Sequence, residues 1–153
     1  MMLSVLASIL LSVNPPVYIK VSNVTNHTPI EKVGDRPVVF GVKETLEEIL
    51  INQGYALDSN GMSVDVSVDD ISSPQRVLNI AGLKWIKKDY IVTTKVCIGT
   101  GCFKGKAVRH TYVFAAFLDV ENNEVPLNKK AFSKALQKSL EDAATFENNI
   151  NNE

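Results

Sequence analysis

Val17, Ile19 and Val21 alternate with Tyr18, Lys20 and Ser22, the period of two that turns every second side chain of a strand to one buried face. From residue 42 the spacing changes. Val42, Leu46, Ile49 and Leu50 fall at i, i+4, i+7 and i+8, one apolar stripe along a helix. Gly54 follows where a helix takes a left-handed C-terminal cap, and Glu44, Glu47 and Glu48 lie off the stripe as a solvated face. Alternation returns at Val64, Val66 and Val68 against Asp65, Ser67 and Asp69. With Asn60-Gly61 ahead of it to supply positive φ angles, the stretch from Tyr55 reads as a tight hairpin.

Residues 72–85, SSPQRVLNIAGLKW, read as a connector with at most a short helical turn. Two long runs follow, IKKDYIVTTKVCI and CFKGKAVRHTYVFAAFLDV, rich in the β-branched and aromatic residues that favour strands. In the second run Val108, Tyr112, Phe114 and Leu118 face one way and Val113, Ala115 and Phe117 the other, which predicts a central strand covered on both faces. Asn128 then caps a helix whose buried stripe is Phe132, Ala135, Leu136, Leu140 and Ala143. The pattern as a whole predicts an α+β fold. It has an antiparallel sheet of about five strands, starting near Val17, Tyr55, Ser63, Trp85 and Phe103, a long hairpin, and amphipathic helices over 42–53 and 129–145 packed on the sheet.

At 153 residues with 45% apolar composition the chain fits one domain with its own core, expected over 17–146, with 147–153 a disordered polar tail. The opening MMLSVLASILLSVNPP is apolar for about a dozen residues, short of the roughly 20 a spanning helix needs. It resembles the apolar core of a secretory signal, the alternative being a first strand or packed arm. No cysteine precedes Cys97, so a lipid-modified cysteine is not expected.

The formal net charge of −1 excludes a general nucleic-acid binder, which needs surplus cations to replace phosphate counterions. The mean hides a split. Residues 31–70 hold nine acids and three bases, and residues 84–109 hold seven bases and one acid. Lys84, Lys87, Lys88, Lys104, Lys106 and Arg109 are therefore the candidate interaction residues. Either the two segments neutralise each other as neighbours in the sheet, or the basic hairpin meets the acidic face of a second copy, giving a salt-sensitive homo-oligomer, or docks on an acidic partner.

Cys97 and Cys102, the only cysteines, flank Ile98-Gly99-Thr100-Gly101. A hairpin turning there sets them opposite each other at a separation a disulfide accepts, so they are the candidate disulfide of an exported protein and two reduced thiols in a reducing compartment. A closed zinc site takes four ligands, and only His27 and His110 remain as nitrogen donors. The C-x-x-x-x-C spacing in a strand is not that of a thioredoxin-like pair. Asp65 and Asp69 share the polar side of a strand without calcium-loop spacing. No nucleophile elbow, phosphate loop or dinucleotide fingerprint is present. No enzyme activity, catalytic residue, metal or cofactor is expected.

The run TLEEILINQGYALDSNGMSVDVSVDDI resembles the YajG-type lipoproteins of bacterial envelopes, in which a helix ends in a Gly-aromatic pair before a short strand, an Asn-Gly turn and a Val-rich alternating strand. Here these are Gly54-Tyr55, Asn60-Gly61 and Val64 to Val68, with the likeness extending over roughly 17–146. The resemblance implies an envelope-facing domain with a curved antiparallel sheet carrying two helices, and it transfers no catalytic residues. The chain departs from that pattern in lacking the lipobox cysteine and in carrying Asn26-His27-Thr28-Pro29 where an Asp-x-Arg-Pro element is usual. The expected function is a non-enzymatic exported domain, periplasmic or secreted and alternatively virion-associated, acting through protein–protein contacts in an assembly. It would lie near a membrane without spanning one. The alternative is a module binding a small apolar ligand between sheet and helices.

Overall fold

The computed structural model describes residues 15–114 and 127–145, so the signal-like opening through Asn14, the last strand beyond Phe114 and the polar tail lie outside the described residues. The first alternating run forms β1 (Tyr18–Asn26), with Ile19 and Val21 buried. A small hairpin of β2 (Lys32–Val33) and β3 (Arg36–Pro37) leads into α1 (Val38–Asn52). The helix starts a turn ahead of the stripe beginning at Val42, because Val38 extends that stripe by i−4 and is itself buried. It closes at Gly54, where φ is +93° and the Tyr55 N–H returns to the Leu50 carbonyl at 3.1 Å, a Schellman ending.

The next two strands, β4 (Ala56–Leu57) and β5 (Met62–Ser72), are not the hairpin that Asn60-Gly61 suggests. β1 lies between them and runs parallel to both, with Tyr18 opposite Ala56 on one side and Ile19 opposite Met62 on the other. Residues 58–61 carry the chain over β1, the Asp58 N–H donating to the Ile19 carbonyl at 3.0 Å. Neither Asn60 nor Gly61 has a positive φ. Glycine is needed at 61 for room, since a Cβ there would stand 2.6 to 2.7 Å from the backbone of Ile19.

The remaining strands are β6 (Gln75–Ile80), β7 (Leu83–Ile98) and β8 (Gly101–Phe114). β8 pairs along β7 from Trp85–Phe114 to Ile98–Gly101. The other edge of β7 is shared, β5 pairing with residues 91–98 and β6 with residues 83–88. β7 therefore holds the central place that the pattern assigned to β8. Among the described residues β8 is an edge strand, and its Val108, Tyr112 and Phe114 are exposed rather than covered. The six-stranded sheet is antiparallel except where β1 joins β4 and β5. The α+β class, the long hairpin and the two helices are as the pattern predicts.

The C-terminal helix α2 (Lys129–Ala143) packs across β7 and β8 and against α1. Asn128 caps it, its side-chain oxygen accepting from the Ala131 N–H at 3.1 Å. Its whole apolar stripe is buried, and Ser139 with it. The helix backbone comes so close to the sheet that a Cβ on Gly105 would meet the Ser139 carbonyl oxygen and lie 2.7 Å from the Ala143 nitrogen. Ser139 Oγ donates to the Gly105 carbonyl at 3.0 Å and pairs with Thr94 Oγ1 at 2.8 Å. At its start the helix is pinned by the Asn128 N–H donating to the Tyr90 hydroxyl at 2.7 Å.

Gly105→Ala pushes a methyl into backbone that cannot rotate aside, and the expected loss is about 3 kcal/mol, the upper end of overpacking penalties. Thr94→Val leaves Ser139 its bond to Gly105 and loses about 1 kcal/mol. Urea unfolding of both variants checks the order; equal midpoints for Gly105→Ala and the parent chain would contradict the close approach.

Candidate interaction surface

The connector of residues 72–85 contains a strand and a two-residue turn. Ala81 and Gly82 both have positive φ, 50° and 78°, the primed turn that matches the twist of a hairpin, with Ile80 and Leu83 closing it. Alanine is not a usual residue at that position, because its Cβ opposes a left-handed backbone by about 1 kcal/mol. The usual Asn-Gly or Asp-Gly cue was therefore missing.

Rows of paired residues run across this end of the sheet. Leu78, Trp85 and Phe114 lie abreast on the face away from the helices, and Val77, Ile86 and Val113 abreast on the other. Trp85 and Phe114 stack at 4.9 Å between ring centres, tilted by 58°. Toward the turn the covering is gone: Ile80 is 58% exposed, Leu83 46%, Val77 46% and Leu78 39%. α2 begins at Tyr90, seven residues before which β7 starts at Leu83. At about 3.3 Å per residue the tip stands about 23 Å farther along the strand.

The candidate cations do not converge. Lys84 and Lys87 sit on the projecting hairpin, Lys87 Nζ 3.6 Å from Asp89. Lys88 is buried on the helix side, opposite Gln75 and Thr111. Lys104 reaches Asp69 at 3.9 Å, and Lys106 is exposed opposite Thr93. Arg109 lies near enough to Lys138 of α2 for the two charges to oppose each other. The acidic strand β5 is the direct neighbour of β7, with Asp65 opposite Cys97 and Asp70 opposite Thr93. Part of the charge split thus sits side by side in one sheet, Asp65, Asp69 and Asp70 of β5 beside Lys95 and within reach of Lys104. Asp89 is the first acid after the hairpin, and it accepts from His110 Nδ1–H at 2.6 Å. That bond, helped by the Lys87 ammonium and opposed by burial, holds its carboxyl below the usual carboxylate range.

At the far end of β7, Cys97 and Cys102 are register partners across the neck of the β7–β8 turn and form a disulfide, with Gly99 at φ +58° in the turn. Among the described residues no cluster of three or more His, Cys, Asp or Glu is placed to hold a metal. The aspartates of β5 have local partners, Asp65 accepting from Asn23 Nδ2 at 2.9 Å and Asp69 from Ser67 Oγ at 2.6 Å. Open clefts of about 240 Å³ at Ile19, Lys43 and Asp58, and of about 220 Å³ between the helices at Gly41 and Phe132, fall below the roughly 300 Å³ at which ligand pockets begin. No helix among the described residues is long and apolar enough to cross a membrane.

Solved structures are similar to the chain, among them these two. A minor lipoprotein from Acinetobacter baumannii is 17% identical, with 84% of this chain and 86% of that chain covered and a TM-score of 0.41. A hypothetical protein from Chlamydia trachomatis is 10% identical, with 62% and 73% covered and a TM-score of 0.41. No family model matches the chain, the YajG type included, and no curated protein matches it.

With the two sulfurs bonded, protein recovered from an oxidising compartment is expected to resist alkylation until reduced and then to take up two labels. Intact mass before and after reduction reads this. Full labelling without reductant would show two free thiols.

Proposed function

We propose that the chain is a non-enzymatic, exported domain of an envelope that works through protein–protein contacts, and that the outer edge of β8 is where a partner joins. The observation that carries this reading is the edge itself. β8 is fourteen residues long, and among the described residues no strand pairs with its outer side. A row of backbone donors and acceptors of that length is a template for strand addition. It is also held rigid, with β7 paired along its full inner side and α2 packed on its face. Lys104, Lys106, Arg109 and His110 along the strand are the kind of edge charge that discourages indiscriminate pairing and leaves room for a chosen partner. The rival reading, a small apolar ligand between sheet and helices, has less support, because Val92, Thr94 and Val96 of β7 already meet the stripe of α2 in a filled core. The envelope setting rests on the signal-like opening and on the resemblance carried by Gly54-Tyr55 and Val64 to Val68.

A photo-crosslinking side chain at Lys106 or Tyr112, both exposed on β8, is expected to give discrete protein adducts in the native cells, and one at Lys134 on the outer side of α2 none. Successive residues of an edge strand point their N–H groups alternately inward and outward. Of Arg109→Pro and His110→Pro, one therefore keeps the β7 ladder intact and folds, as circular dichroism will show, and that variant is expected to lose the adducts. No adducts from β8, or adducts unaffected by the folded proline variant, would remove the edge as the contact.

A further inference from the structure

We propose that the β6–β7 hairpin tip, from Val77 to Trp85, seats itself in the headgroup boundary of an anionic lipid surface. This surface adjoins β8 at Tyr112 and Phe114, and the inference does not depend on strand addition to the β8 edge. Three observations point to lipid. Exposed apolar side chains occupy both sides of the tip, Val77 on one and Leu78, Ile80 and Leu83 on the other. A protein docking on one side of a hairpin leaves the other side wet, whereas a lipid boundary takes both at once.

The second observation is the charge behind the tip. Residues 75–88 contain no acid, and Arg76 and Lys84 are the cations that count here, since Lys87 pairs with Asp89 at 3.6 Å and Lys88 is buried on the helix side. Arg76 pairs across the hairpin with Lys87, four rows back from the turn-closing row of Ile80 and Leu83. Like charges facing each other disfavour the sheet, but they suit a negatively charged plane. The third is the aromatic set. Trp85 and Phe114 form the row just behind the exposed tip, and Tyr112, 60% exposed, lies two rows farther back beside Lys87. Rings with one apolar side and one wet side collect at the level of lipid headgroups. Along the hairpin the order is therefore the apolar closing row, Lys84, the aromatic row of Trp85 and Phe114, and then Arg76.

Trp85 is the chain's single tryptophan, so its emission reports the tip alone. The full chain is mixed with vesicles of phosphatidylcholine, or of phosphatidylcholine with phosphatidylglycerol. The expected result is a blue shift with the anionic vesicles only, and quenching of that emission by lipids brominated on the acyl chain. Ile80→Ser with Leu83→Ser, both at exposed positions, is expected to abolish shift and quenching while leaving circular dichroism unchanged. Arg76→Ala and Lys84→Ala are each expected to weaken binding about fivefold, the weight of one cation near an anionic surface. Unchanged Trp85 emission overturns the proposal, whether the chain stays free, docks only on protein or attaches to vesicles by another segment. An equal shift on the neutral vesicles overturns it too, since the charge would then play no part.

Discussion

The structure depends on how closely α2 lies on the sheet at Gly105. Helices usually rest on sheets through a layer of side chains about 10 Å thick, but here the helix backbone occupies the space a Cβ would need. Ser139 and Thr94 complete the contact with two hydrogen bonds inside an otherwise apolar core. Those bonds work only at this separation, so glycine and the hydroxyl pair together fix the height, direction and register of α2 on β7 and β8. The Asn128–Tyr90 bond fixes its start. With both ends set, α2 starts at Tyr90; Ile86 and Lys88 beyond it are still buried, and the exposed apolar side chains of the hairpin are Val77, Leu78, Ile80 and Leu83 at its tip.

The placement of charge follows from the same topology. Because β5 and β7 are antiparallel neighbours, Lys95 of β7 stands opposite Ser67, next to the aspartates of β5, and Lys104 of β8 reaches Asp69. Such exposed pairs contribute little each. Their effect is to leave the broad face of the sheet mixed in sign, while the hairpin beyond β5 has no acidic strand beside it. On that hairpin Arg76 faces Lys87 and Lys84 faces Asn79, with no acid opposite either.

Periods of two and of nearly four residues were enough to locate β1, α1, β5, β7, β8 and α2, because each buries one regular face. The order of the strands was not legible. Asn60-Gly61 carries the signature of a tight turn, yet glycine serves there to let one backbone pass close over Ile19, a demand made by a residue more than forty positions away. β8 read as central because Val108, Tyr112 and Phe114 are apolar, but apolar side chains also line exposed surfaces, and pattern alone does not separate the two. The hairpin tip was hidden by Ala81, which occupies a left-handed position without announcing it. The cysteine positions were legible since a four-residue turn between two strands leaves little choice of register.

β1 sits between β4 and β5 and pairs with strands that leave the ribosome some forty residues after it. Residues 75–114, by contrast, are two consecutive hairpins whose partners are close in sequence. Contacts between neighbours in sequence form sooner than those that must close a long loop. During synthesis β1 therefore has to wait, exposed and without its ladder, until β5 has emerged. The earliest of the described strands is then a late one to be fixed in the sheet, and the interval is one in which another extended segment, or a chaperone, could occupy the place beside β5.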